Sequence, residues 1–324
     1  MWCDHTNVKH QAPWGTCINE LEAEARLVEQ GENHVALLDC MAVIRVSGEE
    51  AASFLQGQVT CDVNHLAPDQ ALLGAHCNAK GRAQSTFVCL KQDKDYLLLL
   101  PRDQVAPTIQ VLTKFAMFSK AEIKAEDSLL VFAAGGPESE AFHSTLNEAT
   151  PGATLFTLPY LGTLGLIPST EASAWIATQQ EQNLPLVGDN AWQLSQINAG
   201  LVHIHANQSE QWIPQEINYD LVEGVNFKKG CYKGQEIVAR IHYRGQTKVR
   251  AFALEITGCD TVSVGDKIIS DTGSGTILAV TKVSERTLKV LSTLKIEAST
   301  SENLQIEQID GCQIRPLPLP YAIT

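Results

Sequence analysis

The sequence predicts an α+β fold: a mixed body of strands and helices followed by a small all-β barrel at the C-terminus. Three observations predict it. Candidate strands and helices alternate through the middle third of the chain, as layered α+β structure requires. After Gly245 the texture changes to short β-rich runs separated by glycine-containing turns, the pattern of a small barrel or sandwich. The 324 residues, 44% apolar and 19% charged, suit a folded protein of about two domains.

The elements follow in order. Residues 1–33 are polar and irregular except for a short helix over Glu20 to Gln30. Val35 to Val46 is dense in apolar and β-branched residues and reads as one strand ending at Ser47-Gly48. Ser47 is placed to cap a helix running through Gln56, with Ala51, Phe54 and Leu55 on its buried side. Gln84 to Leu90 and Tyr96 to Leu100 form a hairpin around a polar turn. A helix to about Phe118 follows, with Val105, Ile109, Leu112 and Phe115 at helical spacing and Pro107 in its first turn. Leu129 to Ala133 is a buried strand, then a helix is expected over Glu138 to Glu148. Strands over Thr154 to Leu158 and Leu161 to Ile167 precede a helix capped by Ser169 or Thr170, with Ala172, Trp175 and Ile176 inward. Gln193 to Leu201 is helical and stops at Gly200. The β-rich runs are Val249 to Ile256, Lys267 to Ser270, Gly275 to Val283 and Thr287 to Leu294, before an extended Pro-rich tail.

Composition excludes several classes. No apolar run approaches the ~18 residues of a membrane span, and the N-terminal residues lack a signal-peptide stretch, so a cytoplasmic location is expected. The nine cysteines are scattered without CxxC spacing, which predicts reduced thiols and no local metal site. His203 and His205 would share a face of a strand, but without a neighbouring carboxylate or cysteine a structural role is the simpler reading. The net charge of −13 argues against broad nucleic-acid binding. Yet seven Lys/Arg against one acid lie between Lys228 and Arg250, a segment fit for an anionic ligand or an acidic partner.

The octapeptide Lys229-Gly230-Cys231-Tyr232-Lys233-Gly234-Gln235-Glu236 carries the most chemistry. It sets one thiol between glycines and lysines, just before a helix. Cations and helix N-termini favour the thiolate, which is the reactive form. There is no GxGxxG, Walker loop, HExxH or GxSxG.

The octapeptide resembles the signature of YgfZ-type folate-binding proteins, bacterial relatives of the aminomethyltransferase (T-protein) of glycine cleavage. Phe54 to Val63, Gly74 to Arg82, Ile213 to Glu216, Gly224 to Lys228, Val238 to Arg240 and the terminal Pro318 to Tyr321 are similar to further segments of that family. The resemblance implies three domains around a central channel that accommodates tetrahydrofolate or a one-carbon derivative. They would be a discontinuous folate-binding domain (34–118 and 190–245), a ferredoxin-like α+β domain (119–189) and the C-terminal β-barrel (246–324).

The resemblance also implies roles. Trp192 matches a folate-contacting tryptophan and could stack on a pterin, although a tryptophan on a helix face also commonly packs into a core. Met41 stands where the family has a second ligand tryptophan, and its sulfur can still meet an aromatic ring. Asp39 is a candidate for the pterin amino group, or else caps a turn. Lys228 and Arg240 would attract the folate glutamate tail or a partner. Cys231 would be the reactive thiol, attacking a one-carbon unit, holding a transient iron–sulfur species or sensing oxidation. Lys229 would be its electrostatic activator, with Lys233, often threonine in the family, adding charge. T-proteins carry an aspartate pair where Ser85 and Thr86 stand; without a titratable acid there, glycine-cleavage aminomethyl transfer is not expected. The implied function is support of iron–sulfur cluster assembly or repair and of cluster-dependent tRNA methylthiolation. Its partners would be cluster-assembly proteins or the modifying enzymes, with no direct nucleic-acid contact, no membrane and a monomeric state. A folate-dependent one-carbon transferase is the alternative.

Overall fold

The computed structural model describes residues 1–10, 15–68, 70–136, 153–259, 261–301 and 303–323. Within them the chain begins with a two-stranded ribbon, β1 (Lys9–His10) and β2 (Thr16–Cys17), then helix α1 (Leu21–Gln30). The run expected as one strand is two: β3 (His34–Leu37) and β4 (Met41–Ser47), which belong to different sheets. The break falls at Asp39, a poor strand residue. Its carboxylate accepts the backbone N–H groups of Trp2 and Cys3, while its carbonyl and that of Met41 accept the Arg102 guanidinium.

Helix α2 (Ala51–Gln56) starts later than expected. Ser47 is still in β4, and the cap position falls to Glu50, with no side-chain capping bond. Then come β5 (Ala71–Cys77), β6 (Ala83–Gln92), β7 (Asp95–Pro101), α3 (Val105–Ala116) and β8 (Glu122–Ala125). The β6–β7 hairpin is tighter than expected, with a two-residue turn in which Asp93 takes a positive φ of 55°. Strands β9 (Leu129–Gly135), β10 (Thr154–Leu158) and β11 (Gly162–Pro168) follow, then α4 (Ala172–Glu181), β12 (Leu186–Val187) and α5 (Asp189–Asn198). Here too the expected cap is absent: neither Ser169 nor Thr170 caps α4, whose cap position is Glu171. The helix expected over Glu138 to Glu148 lies outside the described residues. Helix α6 (Gln235–Arg244) precedes β13 (Val249–Thr257), β14 (Lys267–Ser270), β15 (Gly273–Ser284), β16 (Thr287–Lys295), β17 (Gln305–Ile306) and β18 (Gln313–Pro316).

Three larger sheets result. One has the order β5-β6-β7-β4-β8, all antiparallel; another runs β10-β11-β9-β3-β12, with only the β3–β12 pair parallel. The C-terminal sheet, β17-β14-β15-β16-β13-β18, is antiparallel throughout and open, a curled half-barrel rather than a closed barrel. A Cys259–Cys312 disulfide, spanning 53 residues of sequence, ties the segment after β13 to the one before β18, so the expectation of uniformly reduced thiols fails for this pair. The other seven cysteines are free. These mixed layers of helices and largely antiparallel sheets bear out the α+β class.

One continuous apolar core joins all three sheets. It includes Ala36 of β3, Met41 of β4, Leu97 of β7, Val131 of β9, Trp192 of α5 and Leu278 and Leu291 of β15 and β16. Burial of such side chains stabilises by roughly 25 cal/mol per Å² of apolar surface. The same convergence leaves a cavity where the elements meet. No helix among the described residues is long and apolar enough to cross a membrane.

Candidate functional site

Segments distant in sequence build the octapeptide's seat. The Asn226 side chain accepts the backbone N–H groups of Lys228 and Lys229 and turns the chain into the loop. Thr60 sews that turn to the first sheet: its carbonyl accepts the Asn226 N–H, and its hydroxyl donates to Gly224 and accepts from Ala75. Gly234 (φ +83°) and Gly81 (φ +71°) meet face to face; a Cβ on Gly234 would lie 2.5 Å from the Asn78 carbonyl oxygen. Only glycine allows both the left-handed backbone and that approach.

The lysines do not converge on the thiol. Lys229 is buried, and its Nζ donates to the carbonyls of Gln56 (2.9 Å), Val59 (2.6 Å) and Cys61 (2.7 Å). Burial pulls its pKa down to about 8, which leaves it charged at neutral pH. The sequence suggests an activator of Cys231; the geometry gives Lys229 an anchoring position, holding the octapeptide to the end of α2. Lys233 likewise points elsewhere, its Nζ 4.3 Å from the Phe115 ring centroid and 3.4 Å from Gln84 Oε1. Cys231 itself is exposed, beside Gly230, around which a Cβ would meet nothing within 4 Å.

A second feature is the cavity, about 200 Å³, lined by Met41, Asp189, Trp192, Gln196, His203, Leu278 and neighbours. Trp192 and Met41 are therefore brought together as expected for a shared pocket. Asp39 is not in its lining; its carboxylate accepts the backbone N–H groups of Trp2 and Cys3. Lys228 and Arg240 lie instead along surface grooves beside α6.

The acid in the lining is Asp189, which the sequence reading missed because it began α5 at Gln193. Asp189 accepts the Cys40 N–H (3.0 Å) and the Thr16 hydroxyl (2.6 Å), and burial raises its pKa. The histidine pair also enters this wall. His203 is buried with no partner on either ring nitrogen among the described residues, and burial pushes its pKa down to about 3, so it is neutral. His205 lies 3.2 Å from both Asp103 carboxylate oxygens. Trp192 Nε1 and Gln196 Nε2 are further buried atoms without a partner among the described residues.

Ser85 and Thr86 lie on β6, buried. The Thr86 hydroxyl accepts the Ile204 N–H at 2.7 Å, and no carboxylate takes their place in the strand. Among the described residues no group of three or more His, Cys, Asp or Glu side chains could hold a metal ion.

No protein-family model matches the chain. The fold is similar to that of the glycine cleavage system aminomethyltransferase T from Bartonella henselae, with a TM-score of 0.75 and 15% identity, covering 97% of this chain and 94% of that one. In sequence it is 32% identical over 304 residues to the tRNA-modifying protein YgfZ of Pectobacterium carotovorum subsp. carotovorum, covering 89% of this chain and 91% of the relative. The tRNA-modifying protein YgfZ of Colwellia psychrerythraea is also 32% identical, over 70% of this chain and 73% of its own. With that identity sustained over most of both chains, and with the octapeptide seated by the segments that accompany it, the chain belongs to the YgfZ family of tRNA-modifying proteins.

Proposed function

We propose that this protein binds a folate and serves tRNA modification, as an accessory factor of iron–sulfur cluster assembly or repair on which cluster-dependent methylthiolating enzymes rely. The observation that carries the reading is the cavity wall: a buried indole, Trp192, with Met41 and one desolvated carboxylate, Asp189. That set fits a flat, amino-bearing heterocycle. An indole face stacks on a pterin, a methionine sulfur packs against an aromatic ring, and a carboxylate accepts from amino and ring N–H groups. At about 200 Å³ the cavity is smaller than the ~300–1,000 Å³ typical of drug-sized ligands, so it suits the bicyclic head rather than a whole folate. Tetrahydrofolate would bring one-carbon carrying capacity; the chain's own residues would bind and orient it. Cys231 is the reactive thiol of this reading and Lys229 the residue that positions its loop. The three-domain division, a cytoplasmic location and a monomeric state belong to the same reading.

The experiment is calorimetric titration of tetrahydrofolate. Saturable binding in the micromolar range or tighter is expected, weakened about tenfold or more in Asp189→Ala, the loss of one charge-assisted hydrogen-bonded contact. Absence of binding by the folded wild type would remove the folate from the account.

Asp189 also favours a second reading. A cavity acid with a raised pKa is the kind of group that can move a proton at a folate nitrogen, so a folate-dependent one-carbon transferase is the rival. Robust turnover of methylene-tetrahydrofolate with an amine or tRNA acceptor, lost in Asp189→Asn, would establish the transferase and displace the accessory role.

A further inference from the structure

His203 is carried into the cavity wall by a frame that makes no use of its ring. Three side chains pin the backbone around it. The Tyr321 hydroxyl donates to the Gly200 carbonyl (2.6 Å), the Tyr219 hydroxyl donates to the Val202 carbonyl (2.9 Å), and the Thr86 hydroxyl accepts the Ile204 N–H (2.7 Å). The imidazole so placed lines the cavity and is only 4% exposed, and neither nitrogen has a partner among the described residues. His205 gives the contrast: it lines the same cavity, but its Nδ1 meets the Asp103 carboxylate. A buried polar atom without a partner opposes folding and asks for an explanation. Such atoms also occur at His76 and Ser85, away from the cavity, so one of them does not make a site. Here three residues of one lining share the condition: His203 at both nitrogens, Trp192 at Nε1 and Gln196 at Nε2. Trp192 and Gln196 stand four apart on α5, with Asp189 three residues before Trp192, on one face of the helix.

We propose that His203 is a ligand-contacting residue of this cavity, whose imidazole pairs with the edge of a bound heterocycle on which a carbonyl stands close to a ring N–H, as in the pterin head of tetrahydrofolate. The inference rests on the folate reading of the cavity and adds to it a residue outside the indole, methionine and carboxylate set. The chemistry of the wall selects this role. Trp192 Nε1 only donates, and an ionised Asp189 only accepts. A neutral imidazole does both, with one N–H and one bare nitrogen, and burial keeps His203 neutral. Ligand sites are mostly apolar and fix orientation through a few placed polar groups. A ring held by a pinned backbone, with its own hydrogen bonds unspent, is such a group.

The test titrates tetrahydrofolate calorimetrically into the full chain as wild type, His203→Phe, His203→Leu and His203→Asn, with urea unfolding of each protein measured without folate. His76→Gln is the control, because His76 is equally buried and unpartnered but lies outside the cavity lining. The Kd should rise about tenfold in His203→Phe and His203→Leu. It should rise less in His203→Asn, whose amide keeps a donor and an acceptor, and stay unchanged in His76→Gln. The urea midpoints of the Phe and Leu variants should equal or exceed that of the wild type, since both remove two unpaired buried nitrogens. In ¹⁵N spectra, the imidazole resonances that His203→Phe deletes should shift when tetrahydrofolate is added to the wild type. Wild-type affinity in both apolar variants, or His203 resonances that stay in place while the titration saturates, would overturn the inference and leave the folate reading intact. Lowered urea midpoints in both apolar variants would give the ring a structural role and overturn it too. A folded wild type that binds no tetrahydrofolate would end the folate reading and this inference with it.

Discussion

Replacing Lys229 with methionine separates an anchoring lysine from a thiol-activating one. The ammonium makes three bonds to backbone carbonyls, those to Val59 and Cys61 fully buried. Hydrogen bonds to charged groups contribute roughly 1.5–3 kcal/mol each, so three are worth about 4–9 kcal/mol. Against this, burying the charge costs about 3.5 kcal/mol, the equivalent of lowering the pKa from 10.5 to about 8 at roughly 1.4 kcal/mol per unit. Methionine keeps the stem's packing but leaves the acceptors bare, and the net loss should be about 3 kcal/mol, visible as a fall in the urea midpoint by far-UV circular dichroism at pH 7. Cys231 alkylation, measured in a Cys3→Ser background because Cys3 is the other exposed thiol, should change by less than the fold destabilises. A loss below about 1 kcal/mol together with a tenfold slower alkylation would refute the anchoring assignment and restore Lys229 as activator.

Acid should destabilise the protein in a defined window. His76 and His203 are buried with pKa values near 3, below the 6.5 of an unfolded histidine. The unfolded chain therefore binds more protons between these values, so stability falls as pH drops from about 6.5 towards 3, by up to ~2.7 kcal/mol per pH unit for the two. Urea midpoints from pH 7 to 4.5 should show it, and His76→Gln should remove about half of the slope. Glu24 accepts three backbone N–H groups, from Ile18, Asn19 and Gly188, and is wholly buried. Glu24→Ala should cost about 3 kcal/mol by chemical unfolding, since it orphans donors that cost ~1–3 kcal/mol each. Gly234→Ala should lower stability by about 2 kcal/mol or more, combining a left-handed backbone penalty with the clash at Asn78. Gly230→Ala, with open space and no positive φ, should change it by less than about 1 kcal/mol in the same assay.

Much of the fold was legible because it is local. The buried faces of α2 and α4, the β6–β7 hairpin and the strand texture after Gly245 all follow from periodicity and turn residues. What escaped depended on distant partners. The run from Val35 to Val46 is apolar but for Asp39 and Arg45, and Asp39 splits it between two sheets because Trp2, Cys3 and Arg102 pin the crossover. The same contacts explain why Asp39 is a poor guide to the cavity. The cavity acid, Asp189, sits in an unremarkable polar stretch, and only Thr16 and Cys40, more than 140 residues earlier, show where it lies. Trp192 and Met41 were recognisable through the family resemblance, and the structure brings both to one wall. The octapeptide's lysines were visible as charge near a thiol, but charge density along a chain does not say where an ammonium points. Three carbonyls claim Lys229, and a phenylalanine face claims Lys233.

The most direct test of the central claim is tetrahydrofolate titration followed by tryptophan fluorescence in the wild type and in Trp192→Phe. The account predicts saturable quenching at micromolar concentration or below in the wild type, and loss of most of that signal with weaker binding in Trp192→Phe, since a phenyl ring offers less stacking area than an indole. Quenching of equal depth and equal midpoint in both proteins would place the folate away from the Trp192 wall and contradict the account.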